Sequence, residues 1–170
     1  MKTPPPATPP VVPLRGLNEA MHVGADAAPF VDIGDGTLIQ LLLVDLAHNL
    51  WITRNRMQPG TRVITHYHTG PVYAYTLQGR WYYEEYPETV NTAGSFLFEP
   101  SGSVHTLVIP PDQAGETIVW FQIHGTNLNL DPAGQVVSIA DAHNVLVGYR
   151  WLCQRSGASA DAVIVLGENA

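Results

Sequence analysis

The chain has 170 residues, of which 45% are hydrophobic and 14% are charged, and its formal net charge is −7. This composition predicts one folded domain with an apolar core and excludes a disordered chain. Lys2 is the only lysine, which disfavours nucleic-acid binding, and the single cysteine, Cys153, excludes an intrachain disulfide.

The chain begins with a proline-rich segment. Six prolines fall among the first 13 residues, and such a run favours an extended, polyproline-like conformation. We therefore expect an extended arm over residues 1–16 and a single domain over residues 17–170. The longest apolar run, residues 38–44, is too short to cross a bilayer as a helix, and the arm lacks the apolar segment of a secretion signal. These features favour a cytoplasmic protein with no membrane or nucleic-acid partner.

From residue 38 to residue 124 the chain consists of short runs rich in β-branched and aromatic residues. Each run stops near a glycine, proline, asparagine or aspartate, which is the pattern of strands joined by turns. The pattern predicts an all-β sandwich or barrel with at least eight antiparallel strands, at residues 38–44, 51–57, 62–68, 72–77, 81–86, 95–99, 104–109 and 117–124. The aromatic side chains of these runs, Phe96 and Phe98 among them, are expected to lie mostly in the core.

The end of the chain contains a segment with helical spacing. Ser138 or Asp141 is the candidate N-cap of a helix that stops before Gly157. This helix is expected to pack over one open face of the barrel, with Cys153 as a buried apolar residue. Residues 162–166 fit either a final strand or an unordered end.

Three histidines occur in two segments that have the spacing of a metal site. His66 and His68 are two residues apart on a predicted strand, so their side chains point to the same face and can approach one ion. Imidazole is the commonest protein ligand for divalent transition metals. In the second segment, a Pro-x-Gly turn at Pro100 brings His105 back toward the mouth of the barrel. Together the two segments predict a mononuclear metal site on His66, His68 and His105.

These two segments resemble the paired motifs of the cupin superfamily. The first motif is matched by Gly60, His66, His68 and Gly79, and the second by Gly94, Pro100, Gly102 and His105. The resemblance implies a cupin barrel, which is a double-stranded β-helix of the jelly-roll type, here with a short C-terminal helix. Barrels of this kind leave sheet edges that a partner subunit can cover, so we expect a homodimer or homotetramer.

The chain departs from the cupin motifs at two positions. Val72, or Tyr73 with the longer spacing, stands where the superfamily has a glutamate ligand, and Ile109 stands where the second motif has an asparagine. The site is therefore expected to hold three neutral histidines without a carboxylate from this position, which favours an anionic, chelating substrate. Glu99, which directly precedes the Pro-x-Gly turn, is expected to tie down a nearby turn or an arginine rather than to bind the metal.

Longer stretches, over about residues 34–131, are similar to the 2,4'-dihydroxyacetophenone dioxygenase family. They include the segment from His68 to Gly79, the pattern Trp81-x-Tyr83-x-Glu85, residues 93–100 and residues 104–107. The similarity implies a mononuclear non-haem Fe(II) dioxygenase with three histidine ligands. Such an enzyme uses O2 to cleave the C–C bond between the carbonyl and the hydroxylated carbon of a small aromatic α-hydroxyketone.

Further residues near the motifs are candidates for the substrate pocket. Glu85 alternates with Trp81 and Tyr83, so it is the candidate catalytic carboxylate that accepts a substrate proton. A solvated glutamate beside Glu84 is the alternative interpretation of Glu85. The candidates for the pocket lining are Arg62, Tyr83, Trp81, Trp120 and His124.

Three alternatives remain open from the sequence. The first is a dioxygenase that cleaves a β-diketone. The second is a Zn(II) or Ni(II) enzyme for isomerisation or hydrolysis, because imidazole sites accept several metals. The third is a non-enzymatic, metal-dependent sensor or binding protein for a small molecule, since one fold hosts many functions.

Overall fold

A computed structural model describes residues 20–167 of the chain. Its elements, in chain order, are β1 (Val31–Asp32), β2 (Thr37–Asp45), β3 (Leu50–Met57), β4 (His66–His68), β5 (Val72–Gln78), β6 (Arg80–Tyr83), β7 (Asn91–Thr92), β8 (Phe96–Glu99), β9 (Leu107–Val108), β10 (Thr117–His124), β11 (Asn127–Leu130), β12 (Val136–Ala140), α1 (Ala142–Arg155) and β13 (Ile164–Leu166). The prediction of an all-β fold with one C-terminal helix is confirmed. The predicted arm over residues 1–16 lies outside the described residues.

Three sheets build the barrel. The largest sheet has the strand order β1-β2-β3-β10-β5-β8, and β13 adds to it by pairing with β2. The two smaller sheets have the orders β12-β11-β4 and β7-β6-β9. The strand pairs are antiparallel except β13 with β2, which is parallel.

Side chains alternate between the two faces of the large sheet, and this alternation forms the core inside the barrel. On β10, Val119 and Phe121 are buried, and Val119 lies opposite Asn55 and Phe121 opposite Thr53 of β3. The core continues through Trp81, which is fully buried and donates its indole N–H to Thr76 Oγ1 at 2.9 Å. Burial of one large apolar side chain stabilises a fold by roughly 1.5–3 kcal/mol. Residues of this core, such as Tyr83 and Phe121, also line the site described below.

The helix begins at Asp141, as the sequence predicts. The Asp141 carboxylate accepts the backbone N–H of Asn144 at 2.8 Å, and the Asn144 side chain accepts the backbone N–H of Asp141 at 2.9 Å, which completes a capping box. The alternative cap, Ser138, lies in β12 instead. The buried side chains of the helix include Leu146 and Cys153, and they pack on β1 and β2.

Aromatic residues on the outer strand β8 correct one prediction. Phe96 is 64% exposed and Phe98 is 52% exposed, although both were expected in the core. The residues that point inward from this strand are Leu97, which packs against the core, and Glu99, which is buried. The strand has a clear alternation, but the more apolar of its two faces is the outer one.

Tertiary pairing also decides strands and strand ends that the sequence left open or misplaced. The strands β11 and β12 were not predicted, and β11 forms because its residues 127–129 pair with all three residues of β4. Residues 164–166 form a strand by pairing with β2. The strand predicted over residues 81–86 ends at Tyr83, where a turn begins.

One motif glycine has a clear structural reason. Gly79 adopts a positive φ of 75° between β5 and β6, and a Cβ atom at this position would lie 2.5 Å from Thr117 Oγ1. A larger residue would therefore push β10 away from this turn.

Among residues 20–167, no helix is long and apolar enough to span a membrane.

Candidate metal centre

Two neighbouring segments bring the three predicted histidines together. His66 and His68 lie on β4, and the backbones of His66 and His105 exchange two hydrogen bonds of 3.0 Å each. Each histidine offers one ring nitrogen, and these three nitrogens lie within 4.8 Å of one another. Three imidazoles that converge in this way match the ligand set of a mononuclear transition-metal site.

Contacts behind the histidines fix their orientation. His66 Nδ1 lies 2.7 Å from the carbonyl oxygen of Ile64, which leaves Nε2 of His66 for the site. The ring of Tyr83 stacks on the ring of His105, with centroids 4.2 Å apart and planes 25° apart. The contact to Nδ1 fixes the tautomer of His66, and the stacked ring fixes the side-chain rotamer of His105.

The protonation of the histidines suits metal binding. Burial lowers the pKa of His68 to about 3, and the neighbouring His66 and His105 add to this effect. Burial and the proximity of His105 also lower the pKa of His66. Both side chains are therefore neutral near pH 7, and neutral imidazole is the form that binds a metal.

Glu99 brings a carboxylate into the site, which corrects the structural role predicted for it. Its side chain is 4% exposed, and Oε2 lies 3.2 Å from His105 Nε2 and 3.6 Å from His68 Nε2. Tyr83 donates its hydroxyl hydrogen bond to Oε1 of Glu99. Burial pushes the pKa of Glu99 upward, but His105, Tyr83 and His68 outweigh burial, so this pKa lies below its ordinary value and the carboxylate is ionised.

The position of Glu99 explains how the chain lacks the glutamate of the first cupin motif and still has a carboxylate. Val72 occupies the motif position on β5, and it pairs directly with Glu99 across β5 and β8. Facing residues in a sheet point to the same side, so a carboxylate on either strand reaches the same region. The sequence could have indicated this role of Glu99 only through the alternation of β8. There, Phe96 and Phe98 share one face, which is the outer one, and Glu99 lies on the other.

Unsatisfied polar atoms test whether a metal fits here. His105 Nε2 and Glu99 Oε2 are fully buried and lie 3.2 Å apart, but neither makes a hydrogen bond of normal geometry with any of residues 20–167. Buried polar atoms are rarely left unpaired, because each lost partner destabilises the fold by roughly 1–3 kcal/mol. A cation between the imidazole nitrogens and the carboxylate satisfies both atoms, so the residues present fit a metal ion.

A cavity of about 240 Å³ opens beside the metal centre, and His66 and His68 line it whereas His105 does not. Its volume suits a small ligand. Most of the lining is apolar, and it contains no lysine or arginine among the described residues. The lining consists of Ile33, Asp35, Thr37, Ile39, Trp51, Thr53, Asn55, Met57, Val63, Ile64, His66, His68, Val72, Tyr83, Glu99, Leu107, Phe121, Ile123, Asn127, Asn129, Ala140 and Val145.

The candidate catalytic residue Glu85 lies outside this lining. Its strand ends two residues earlier, so the alternation with Trp81 and Tyr83 does not continue to position 85. The Glu85 carboxylate accepts hydrogen bonds from the backbone N–H and the hydroxyl of Thr106, at 2.9 and 3.0 Å. Glu85 is therefore an exposed residue that anchors the segment next to His105 through Thr106.

Of the five predicted pocket residues, Tyr83 is in the lining and four are elsewhere. Arg62 is half-exposed and pairs with Glu84 at 2.6 Å, and Trp81 lies in the core. Trp120 faces the side of the sheet opposite to its buried neighbours Val119 and Phe121. His124 Nε2 contacts the Gln122 side chain at 2.8 Å. For Trp120 and His124 the placement follows from the alternation of side chains on β10, which turns both away from the face of Val119 and Phe121.

The sequence of residues 18–126 matches the ChrR cupin-like domain family. The chain belongs to this family. The match covers more than half of the chain and includes both histidine segments of the cupin metal centre. No curated protein matches the sequence.

Solved structures support the same assignment. A protein of unknown function with a cupin-like fold from Ralstonia eutropha is 31% identical, with a TM-score of 0.84 over 92% of this chain and 98% of that one. An RmlC-like cupin from the same organism is 23% identical, with a TM-score of 0.75 over 82% and 92% of the two chains. An acetylacetone dioxygenase from Acinetobacter johnsonii is 18% identical, with a TM-score of 0.69 over 85% and 99%. At this level of identity, the last two share the cupin fold.

The predicted cupin superfamily is thus confirmed, together with its jelly-roll fold. The similarity to the 2,4'-dihydroxyacetophenone dioxygenase family stays a prediction.

Proposed function

We propose that this cupin is a mononuclear Fe(II) dioxygenase that cleaves a C–C bond next to the carbonyl of a small chelating substrate. The observation that carries the proposal is the convergence of three histidine nitrogens within 4.8 Å beside a cavity of about 240 Å³. Three protein ligands leave coordination positions free for a substrate and O2. When bound, Fe(II) would supply those positions and would relay electrons from the substrate to O2.

Charge balance supports an enolate-forming substrate. An imidazole that binds a metal is neutral and Glu99 is ionised, so a divalent ion keeps one uncompensated positive charge. A monoanionic chelate, such as the enolate of a hydroxyketone, brings this charge to zero. Burying a balanced set of charges costs much less than burying an unpaired charge.

Glu99 is proposed to accept the proton that the substrate loses, and Tyr83 is proposed to orient Glu99. The ionised Glu99 lines the cavity, so its Oε2 atom is available to accept the proton that the substrate loses on binding. This proton then passes to solvent, which restores the ionised carboxylate that the charge balance requires. Burial and the charge of Glu99 raise the pKa of Tyr83, so its hydroxyl stays protonated and continues to donate to Oε1. The apolar lining around this pair excludes water from the reacting groups.

An α-hydroxyketone of the 2,4'-dihydroxyacetophenone type is the proposed substrate, and a β-diketone is the alternative. Both present two oxygens at chelating distance and lose one proton. The fold shared with an acetylacetone dioxygenase from Acinetobacter johnsonii keeps the second substrate class open.

A non-enzymatic role is the second candidate. The family that the chain belongs to is named for the cupin-like domain of ChrR rather than for a reaction. In this role the same histidines bind Zn(II) or Ni(II), and the cavity holds a small molecule without converting it. The cytoplasmic location and the homodimeric or homotetrameric assembly stay predictions in either case, and light scattering in solution tests the assembly.

Oxygen consumption tests the proposed function. The protein is reconstituted with Fe(II) without O2, and O2 uptake is then followed with α-hydroxyketones and β-diketones, with the Zn(II) form as the metal control. We expect uptake that requires Fe(II) and substrate, and that is lost in His105→Ala. His48→Ala is the matched control, because His48 is exposed and pairs with Asp45 outside the site.

Two outcomes contradict the proposal. Stoichiometric metal binding without O2 uptake for any member of the panel moves the assignment to the binding role. Uptake that persists in His105→Ala shows that oxygen is consumed by free iron rather than by this site.

A further inference from the structure

A row of facing side chains crosses the outer side of the large sheet. The row runs over β2, β3, β10, β5 and β8, where each residue pairs with the next: Gln40, Arg54, Trp120, Tyr75 and Phe96. Side chains of facing residues lie on the same side of a sheet, so these residues form one continuous row. The two ends of the row differ in what covers them.

The end of the row on β2 and β3 is covered by the segment that precedes β1. The Gln40 side chain donates to the carbonyls of Ala25 and Ala28, at 2.9 and 2.6 Å, and Arg54 donates to the carbonyl of Ala25 at 2.7 Å. The ring of Phe30 lies 6.0 Å from the guanidinium carbon of Arg54. The chain that leads into the barrel therefore runs over the outer side of the large sheet.

The other end of the row is aromatic and exposed. Phe96 is 64% exposed and Tyr75 is 43% exposed. Beside them, Tyr73 pairs with Phe98, which is 52% exposed, and the centroids of these two rings lie 5.5 Å apart. We call Tyr73, Tyr75, Phe96, Phe98 and Trp120 the aromatic face. Contiguous exposed apolar surface of this kind marks an interaction site.

The aromatic face is too small to bind a second folded subunit stably. Its three strands, about 4.8 Å apart, and its two rows of side chains, about 7 Å apart, give a surface on the order of 200 Å². A stable interface between two folded proteins buries roughly 800 Å² on each partner. A single extended segment of chain covers a surface of the smaller size.

The proline-rich arm over residues 1–16 has the composition of such a segment. Six prolines lie among its first 13 residues. Polyproline segments bind aromatic-lined grooves, and their backbone carbonyls have no internal partners, so tyrosine hydroxyls and an indole N–H can donate to them. The charged residues of the arm are Lys2 and Arg15, whereas the remainder of the chain carries all 15 acidic residues. Opposite charge therefore favours contact between the arm and the barrel.

The arm is long enough to reach the aromatic face of its own subunit. From β3 to β8 the sheet spans three strand spacings, which correspond to roughly 14 Å. A polyproline helix rises about 3.1 Å per residue, so about five residues cross this distance. Because the arm and the face belong to one chain, the arm is present at an effective concentration on the order of millimolar. This concentration favours its own subunit over a second copy.

We propose that the proline-rich arm binds across the aromatic face of its own subunit, with residues 4–13 in contact with the rings. The bound arm continues the cover that residues 25–30 give to β2 and β3, and it extends this cover to β8, the strand that carries Glu99. The aromatic face lies on the side of the sheet opposite to the cavity, so this binding does not depend on the proposed function.

Paramagnetic relaxation in the full chain tests the contact. A nitroxide is attached to Thr8→Cys, and the amide signals of the isotope-labelled protein are compared with those after reduction of the nitroxide. The native Cys153 is 1% exposed, and treatment of the wild type with the reagent checks that it takes up no label. We expect the signals of residues 73–75 and 96–98 to lose about half of their intensity or more, because a millimolar effective concentration sustains even weak binding.

Two matched pairs of substitutions separate the aromatic face from exposed apolar surface in general. Phe96→Ser with Phe98→Ser removes two exposed rings that are two residues apart on β8. In this pair we expect the intensity loss at residues 73–75 to fall at least about twofold, because the rings supply most of the contact area. Val137→Ser with Ile139→Ser is the control on β12, where these side chains are 55% and 53% exposed. The control pair should keep the full loss, and the Tm of each pair shows that it folds.

A mixed sample distinguishes the subunit's own arm from that of a second copy. Isotope-labelled protein without nitroxide is combined with nitroxide-labelled protein without isotope. Intensity loss that is confined to molecules carrying both labels supports the proposal. An equal loss in the mixed sample overturns it in favour of binding between copies. Full intensity at residues 73–75 and 96–98 in the doubly labelled protein also overturns it, as does a loss that persists unchanged in Phe96→Ser with Phe98→Ser.

Discussion

The two sides of the barrel treat buried polar groups in opposite ways. On the side covered by residues 25–29, Gln40 is fully buried and each end of its amide is paired: Nε2 donates to the carbonyls of Ala25 and Ala28, at 2.9 and 2.6 Å, and Oε1 accepts from Arg54 at 2.6 Å. Tyr149 of the helix donates to the carbonyl of Pro29 at 2.5 Å. Hydrogen bonds to buried polar side chains stabilise the folded state, because they avoid the cost of an unpaired buried group.

The side that carries the histidines holds nearly all of the unpaired groups. Eight buried side-chain atoms of residues 20–167 have no hydrogen-bond partner, and seven of them belong to the metal centre or to the cavity lining. The eighth belongs to Asn91. Functional sites commonly depart from the rules of stable packing, because their groups are arranged for a ligand. The difference between the two sides therefore locates the functional half of the barrel without reference to any relative.

The largest expected effect comes from removing one ligand of the metal centre. His105→Ala is expected to weaken Zn(II) binding by at least about 100-fold, since loss of an outer contact alone weakens metal binding by about 10–100-fold. Competition with a coloured chelator measures this change. His48→Ala, at an exposed position, is the control and should bind as the wild type does. Equal affinities in the two variants would contradict the three-histidine centre.

A cavity in the helix-side core is expected to affect stability and leave the metal centre intact. Leu146 is 2% exposed and packs in the core under the helix. Leu146→Ala is expected to lower the free energy of unfolding by about 2–5 kcal/mol, measured by urea denaturation. Val147→Ala is the control, because Val147 on the same helix is 53% exposed. A large loss of Zn(II) affinity in folded Leu146→Ala would show that the two sides are coupled.

Acid is expected to destabilise the metal-free protein through the histidine side. The pKa of His68 is about 3 in the folded protein and near 6.5 when unfolded, so the unfolded state binds the proton more readily. The free energy of unfolding should therefore fall as the pH decreases from about 6.5 toward 3. Urea denaturation at several pH values measures this fall. His68→Gln, which lacks the titrating group, should show a shallower dependence, and an unchanged slope would contradict the assignment.

A smaller effect is expected from neutralising the carboxylate of the centre. Glu99→Gln keeps the shape of the side chain and removes its charge, so we expect about tenfold weaker Zn(II) binding. Tyr83→Phe removes the hydroxyl donor to Glu99 and leaves the carboxylate in place, so its effect should be smaller. If Glu99→Gln binds Zn(II) as tightly as the wild type, the carboxylate does not balance the charge of the ion.

The smallest expected effect is alkaline and belongs to the helix side. Burial, with Cys153 as a second cause, raises the pKa of Tyr149 well above the ordinary value of a tyrosine, which is about 10. Because the unfolded state loses this proton first, stability should decrease above pH 10, by about 1 kcal/mol at pH 11. Denaturation of the wild type and of Tyr149→Phe at pH 8 and pH 11 checks this. An identical loss in the variant would assign the effect to other groups.

The sequence by itself determined the fold class, the helix and the three histidines. Periodicity and turn residues gave the long strands, and Asp141 marked the start of the helix, because these signals act over a few neighbouring residues. The ligand pair His66 and His68 could be predicted from the two-residue repeat of a strand alone, because that repeat places both side chains on one face. His105 was found because its turn has a fixed spacing.

Tertiary structure alone decided which carboxylate reaches the metal centre and which polar groups line the cavity. Glu99 replaces the missing motif glutamate because β8 pairs with β5 in a register that places Glu99 beside Val72. Thr53 and Asn55 line the cavity because β3 turns this face inward. A shift of one residue in register exchanges the inner and outer faces of a strand, and pairing between distant strands, rather than local sequence, sets the register.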